Sequence, residues 1–355
     1  MTIHQTAIRR PLATKKLDYK RGTVDLTHGA GGRASAQLFE ELFKPAFDNA
    51  SLDKGDDQAR FAGAARMVVA TDGHVVSPLF FPGGDIGCLS VHGTINDVAM
   101  AGAAPTQLTA GFILEEGFPL ADLRRVVRSM AQAAAAAGVP VVAGDTKVVE
   151  RGKCDGVFIT TTGIGIVPET VENPPAADRA RPGDVILVSG TIGDHGATIL
   201  SAREALPMST PFESDTAALH GLVADLLAAA PSVTVLRDPT RGGLATAVNE
   251  ICRSSGVGAL LRETAIPVRR TVDAACELLG VDPLYLANEG KLIAVIDPAH
   301  ADAALAALKA HPLGADAAAI GEIVADPDGF VQMETAFGGR RLVDWLTGEP
   351  LPRIC

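Results

Sequence analysis

Gly93-Thr94-Ile95-Asn96-Asp97-Val98-Ala99-Met100 is the stretch on which the fold turns. It closes a segment, residues 85–101, in which Ile86, Leu89, Ile95, Val98 and Ala99 recur at helical spacing. The segment therefore predicts a helix that carries an amide and a carboxylate side by side. Upstream, residues 67–71 form an apolar run that reads as a buried strand ending at Asp72. Downstream, residues 120–137 predict a second helix, stopped by Gly138 with Pro140 close behind. Strands are expected at 139–143 and 157–167. A proline-rich, aperiodic stretch from Glu172-Asn173-Pro174-Pro175 to Arg181-Pro182-Gly183-Asp184 reads as a linker. Beyond it, mixed logic returns, with strands expected at 184–189, 292–296 and 318–324 and helices at 216–229, 243–254, 272–279 and 301–310.

The predicted class is α+β in two domains: a leader over 1–21, an N-terminal domain over 22–170, a C-terminal domain over 180–345, and a mobile tail over 346–355. At 355 residues, with 47% apolar and 21% charged residues, the chain can bury more than one core. The net charge of −11 argues against a nucleic-acid partner, which needs a basic face, and suits a protein that presents carboxylates to a divalent ion. No apolar run is long enough to span a membrane. Arg9-Arg10 is not followed by the apolar segment of an export signal. Five cysteines without metal-type spacing fit free thiols in a reducing cytoplasm.

Acidic and amide residues recur at expected turns and strand ends: Asp56 and Asp57, Asp72, Asn96 and Asp97, and Asp238. Mg²⁺ on a nucleotide takes hard oxygen ligands from separate segments and keeps water and phosphate as the others. Taken singly, each Asp reads as a turn former or helix cap. Glycine-rich loops at His28-Gly29-Ala30-Gly31-Gly32, Pro82-Gly83-Gly84 and Arg241-Gly242-Gly243 let backbone N–H groups approach phosphate, the last at the start of a predicted helix. Neither a Walker A pattern nor a Gly-x-Gly-x-x-Gly fingerprint is present. His28, His74, His92 and His195 read as structural, with His28 and His195 in loops where phosphate contact is possible. Cys88, Cys154, Cys252 and Cys276 read as core or half-buried residues. Cys355 closes Pro352-Arg353-Ile354-Cys355, a thiol on an arm of about 30 Å if extended.

Thr71-Asp72-Gly73, the stretch from Gly93 to Met100, Gly144-Asp145-Thr146-Lys147 and the stretch from Asp238 to Ala245 together resemble the ATP-dependent superfamily of aminoimidazole ribonucleotide synthetase, selenophosphate synthetase and thiamine-phosphate kinase. Asn288-Glu289-Gly290-Lys291 and the Cys355 motif narrow the resemblance to the HypE family of hydrogenase maturation proteins. The resemblance covers the chain from about Gly22 onward. It implies a PurM-like fold and a homodimer formed through the N-terminal domain. It also implies ATP and Mg²⁺ as cofactors, a carbamoyltransferase partner HypF, and an iron scaffold HypC–HypD. The implied reaction is dehydration of an S-carboxamide on Cys355 to an S-cyanate.

On this reading Cys355, Glu289 and Lys147 are catalytic, with Glu289 as main base and Lys147 orienting the amide or the γ-phosphate. Asp57, Asp72, Asp97 and Asp238 are the expected metal ligands, with Asp56 and Asn96 behind them. Nucleotide binding falls on Asp57, Asp72, Asn96, Asp97, Gly144, Asp145, Thr146, Asp238, Gly242 and Gly243. A surface carboxylate is the plain alternative for Glu289, and an exposed salt-bridge lysine for Lys147. Selenophosphate synthetases carry a reactive residue near the N-terminus, where this chain has no cysteine before Cys88. A non-catalytic carrier of Cys355 would not need the acidic and glycine-rich motifs.

Overall fold

A computed structural model describes residues 16–30, 32–53, 58–204, 213–346 and 353–355. Asp56, Asp57, Gly31 and most of the leader lie outside the described residues.

The first half is built on β1 (Met67–His74), α1 (Ile86–Met100), β2 (Ala104–Glu115), α2 (Leu120–Ala137), β3 (Val141–Val149) and β4 (Val157–Ile166). Their strands form a four-stranded sheet in the order β1-β4-β2-β3, with β2 and β3 parallel and the other pairs antiparallel. The helix predicted from the opening stretch is α1. Asp85 caps it, accepting from the amides of Gly87 and Cys88 at 2.8 and 3.2 Å. Ile86, Leu89, Val91, Ile95, Val98 and Ala99 are all buried, on every side of the helix. A helix apolar all round belongs between layers, and α1 lies between this sheet and the second half of the chain. Glycines make the contact close: a Cβ at Gly165 would run into Val98, and one at Gly87 into the carbonyl of Val126 on α2.

The second half adds β5 (Val185–Val188), α3 (Asp194–Glu204), α4 (His220–Ala229), β6 (Val233–Arg237), α5 (Gly243–Ser255), β7 (Gly258–Arg262), α6 (Arg270–Leu279), β8 (Ile293–Ile296), α7 (Ala301–Ala310), β9 (Ala318–Val324), β10 (Val331–Glu334) and β11 (Arg340–Leu342). Its strands make a seven-stranded sheet ordered β11-β10-β7-β9-β5-β8-β6.

Three sequence expectations shift. β1 runs on to His74, so Asp72 sits within the strand, where it pairs with Thr161. β3 extends through Val149, so Gly144 to Lys147 lie in mid-strand. The expected helix at 216–229 begins only at His220, because the Asn96 side chain takes up the Ala217 carbonyl and the Leu219 amide just before it. Strand β2 had no signal of its own. Pro105 obscures it, and the structure accommodates that residue at a register shift.

Gly87→Ala should lower stability by roughly 1–3 kcal/mol, because the added methyl overpacks a backbone contact that cannot yield. Denaturant unfolding of the two proteins measures this, and equal midpoints would contradict the close packing of α1 on α2.

Candidate active site

Residues Arg353 to Cys355 are not free. They run beside residues 75–77, where Val75 N–H donates to the Cys355 carbonyl at 3.0 Å and Ser77 N–H to the Arg353 carbonyl at 3.2 Å. Arg353 Nε donates back to the Val75 carbonyl at 2.9 Å, and the guanidinium pairs with Asp155. Ile354 is buried in the core of the first half, together with Ile199 and Ala287. Arg203 donates to the carbonyls of both Ser77 and Arg353. His195 Nε2 bonds the Ile354 carbonyl at 2.7 Å, and its Nδ1 bonds the Ser214 hydroxyl at 2.7 Å. Burial holds His195 below its usual pKa and so keeps it neutral. Nε2 must then carry the proton it gives to Ile354, leaving Nδ1 to accept from Ser214. The sequence predicts a mobile arm; at these three residues the structure replaces it with a docked one.

The docked end shares its surroundings with four carboxylates. Burial, then Asp238 and Asp72, push Asp97 up to about 7. Burial is also the main cause that lifts Asp238 to about 6. Glu289 lies well above the carboxylate range, through burial first and then the charges of Asp215, Asp238, Asp72 and Asp97. Burial raises the Cys355 thiol, and the charges of Glu289 and Asp72 raise it further. Glu289 feels the charges of Asp72, Asp97 and Asp238 together, so the four acids converge. Glu289 is 4% exposed, and its Oε1 has no hydrogen-bond partner among the described residues.

A cavity of about 260 Å³ opens here, walled by Gly73, Arg241, Gly242, Tyr285 and the docked end. Gly242 and Gly243 adopt φ of +74° and +62° at the start of α5, a conformation that side chains disfavour. Among the described residues no three acidic, histidine or cysteine side chains form a ready cage for a metal. The donor set still fits Mg²⁺, which needs only one or two carboxylates beside phosphate oxygens and water. Asp72, Asp97 and Asp238 would hold it, and such an ion would offset the burial and like charge that raise Asp97 and Asp238.

Asn96 does something other than expected. Its amide donates to the carbonyls of Ala217 and Glu289 at 3.0 and 3.3 Å and accepts from Leu219 N–H at 2.7 Å. Both its donors and its oxygen are engaged, so it ties α1 to the second half of the chain and is not placed as a metal or nucleotide ligand.

Gly144, Asp145, Thr146 and Lys147 do not join the Cys355 group. Thr71, Thr162, Thr109 and Ala143 stand opposite one another across the sheet, as do Gly73, Thr160, Gly111 and Asp145. Side chains alternate along a strand. Asp145 and Lys147 therefore share the face of Thr71 and Gly73, whereas Asp72 points to the other face, beside Gly93 of α1. Lys147 and Asp145 are exposed and pair at 2.7 Å. They line a separate cavity of about 760 Å³ at the β3 edge, with His28, Gly29, Phe39 and Phe112. A Cβ at Gly29 would run into the backbone of Val148, so the histidine–glycine loop lies directly against β3. Sequence reasoning missed Asp155, Arg203 and Asp215, which carry no motif; their positions follow only from long-range contacts.

Family models describe both halves of the chain: the AIR synthase related protein N-terminal domain matches residues 55–167, and the C-terminal domain of the same proteins matches 181–334. Carbamoyl dehydratase HypE of Cupriavidus necator is 66% identical over 343 residues, 96% of this chain and 97% of the relative. A crystal structure of hydrogenase maturation protein HypE in complex with ATP matches with a TM-score of 0.91 at 51% identity, covering 94% of this chain and all of that one. HypE in a HypE–HypF complex matches with a TM-score of 0.77 at 48% identity, covering 87% and 99%.

The raised acids set a pH dependence. A carboxyl whose folded pKa lies above its unfolded value costs stability above the unfolded value, in full above the folded one. Asp97→Asn should therefore raise Tm at pH 8, and the gain should shrink as pH falls from about 7 toward 4. Thermal melts in metal-free buffer measure it; a gain that grows toward low pH would contradict the burial of Asp97 among like charges.

Proposed function

The chain belongs to the carbamoyl dehydratase HypE family, and from that premise we propose that it removes water from a carboxamide carried on its own Cys355 thiol, leaving an S-thiocyanate. The chain is an ATP-dependent dehydratase. The observation that carries the proposal for Cys355 is the docking of Arg353 to Cys355 beside a buried Glu289 with an unpartnered oxygen.

The chemistry is R–S–C(=O)–NH₂ + ATP → R–S–C≡N + ADP + phosphate. Amide oxygen leaves poorly, so the γ-phosphoryl group is first transferred to it, and the C–O bond then breaks with phosphate as leaving group. Two N–H protons must also depart. Glu289 suits the role of base, because burial and neighbouring charge keep it above the usual carboxylate range. Asp72, Asp97 and Asp238 would hold Mg²⁺, with Asp57 as a further ligand on sequence grounds alone, and the ion would supply the charge that phosphoryl transfer requires.

The docked thiol is raised and protonated, a poor nucleophile. The docked state therefore serves dehydration, and loading takes place with the tail presented to a carbamoyltransferase. The HypE–HypF complex among the similar structures supports HypF as that partner. The cyano group then passes to iron on a HypC–HypD scaffold in the cytoplasm.

Residues 22–170 form the nucleotide-binding half and 180–345 the half that carries Glu289. The open face of the first sheet bears Val69, 70% exposed, with Met67 and Ile113 also exposed. A second copy of this chain covers that face, and the homodimer gives Lys147 and the histidine–glycine loop access to a nucleotide shared with the mate's tail. Lys147 acts there on the γ-phosphate. Light scattering at micromolar concentration is expected to give twice the chain mass; a monomer would remove Lys147 from the site.

Cys355→Ala should bind ATP within about twofold of wild type and form neither carboxamide nor thiocyanate. Glu289→Gln should load normally yet lose water on the order of 100-fold more slowly, the scale of a lost general base. Intact-mass spectrometry follows both steps. A carboxamide on Cys154 or Cys276, or normal water loss in Glu289→Gln, contradicts the reading.

A further inference from the structure

Glu289 lies on a turn without regular secondary structure, yet its backbone is fixed from two sides. Asn96 grips its carbonyl at 3.3 Å. Asp215 grips its amide: Oδ1 accepts from Glu289 N–H at 3.1 Å, and Oδ2 accepts from Gly290 N–H at 3.3 Å and from Lys291 Nζ at 3.0 Å. The Asp215 side chain is 3% exposed, and Lys291 balances its charge from within the same turn. Gly290 has no room for a side chain, because a Cβ there would run into the Asp215 carbonyl. The two segments thus interlock at a fixed register.

The segment that carries Asp215, a strap over residues 214–219, also reaches the other reacting partner. Ser214, adjacent to Asp215, bonds His195 at 2.7 Å, and His195 bonds the Ile354 carbonyl at 2.7 Å. Thr216 bonds His92 of α1 at 3.0 Å, while Ala217 and Leu219 bond Asn96. One short strap therefore touches the turn of Glu289, the helix of Asp97, and the histidine that holds the tail.

Resting on the reading of Glu289 as the base, we propose that Asp215 is a positioning residue for dehydration: by gripping the Glu289 and Gly290 amides it aims the Glu289 side chain at the group carried on Cys355. Asp215 does not itself touch that group. Its charge is the largest influence on Glu289 after burial, so the grip also keeps the base from being a weak one. A carboxylate suits this place because a single planar group receives two successive amides and an ammonium; an asparagine would turn its own N–H₂ toward one of these donors.

The test uses the full chain as Asp215→Asn and Asp215→Glu, with Glu289→Gln alongside. Asp215→Glu keeps the charge opposite Lys291 but displaces the carboxylate, so it stands as a second variant if Asp215→Asn does not fold. Carbamoylation of Cys355 and single-turnover water loss are followed separately by intact mass over a range of ATP concentrations. Both Asp215 variants are expected to load Cys355 at the wild-type rate. Their half-saturating ATP should stay within about twofold, while the maximal rate of water loss falls by about tenfold or more; misplacement by about 1 Å can cost on the order of 100-fold. That split supports positioning, since a general loosening of the fold would weaken ATP binding and loading together. Wild-type water loss in both Asp215 variants beside a slow Glu289→Gln overturns this inference alone. A parallel loss of ATP affinity and rate also overturns it. A fully active Glu289→Gln overturns the assignment of the base, and the inference with it.

Discussion

Asp72 on β1, Asp97 on α1, Asp238 after β6 and Glu289 before β8 come from four separate segments, and folding brings their charges within reach of one another. Burying like charges together costs free energy, which is lowered by taking up protons or a cation. The raised acids and the unpartnered oxygen of Glu289 record that cost in the protein without ligand. A site under such tension suits a cation, and on the proposed reading that cation is Mg²⁺ carried with the nucleotide. The arrangement requires α1 to lie between the two sheets. That in turn requires Gly163 and Gly165, where larger residues would hold the helix away from its strand.

The docking of Arg353, Ile354 and Cys355 adds the second element. One aliphatic anchor, a set of carbonyl contacts from Arg203 and His195, and the Arg353–Asp155 pair hold the end of the chain. Each is modest alone, and the ion pair lies where solvent weakens it. Contacts of this size are weak enough to be broken, which the proposed loading of the thiol at one surface and its processing at another would need.

Much of this was legible in the sequence because local rules and the fold agree. Asp85 and Gly138 mark the ends of α1 and α2 as capping rules expect, and Asp72, Asp97, Asp238 and Glu289, which converge, are all residues that the sequence motifs single out. What was not legible depends on register and distant partners. Lys147 and Asp72 look alike as charged residues on strands, but pairing places them on opposite faces of one sheet. Asn96 reads in the sequence as a residue behind the metal ligands that contacts the nucleotide; its three bonds to residues more than 120 positions away show it to be a tie. The strap before α4 looked helical by composition, and tertiary hydrogen bonds override that preference.

The central claim is that a nitrile forms on Cys355 within this site. Infrared spectroscopy of the full chain, loaded with ¹³C-labelled carbamoyl on Cys355 and then given ATP and Mg²⁺, tests it most directly. The account predicts a C≡N stretch that shifts with the label, appears in step with ADP release, and is absent in Glu289→Gln. ATP consumption without any nitrile band, or a band of equal intensity in Glu289→Gln, would contradict it.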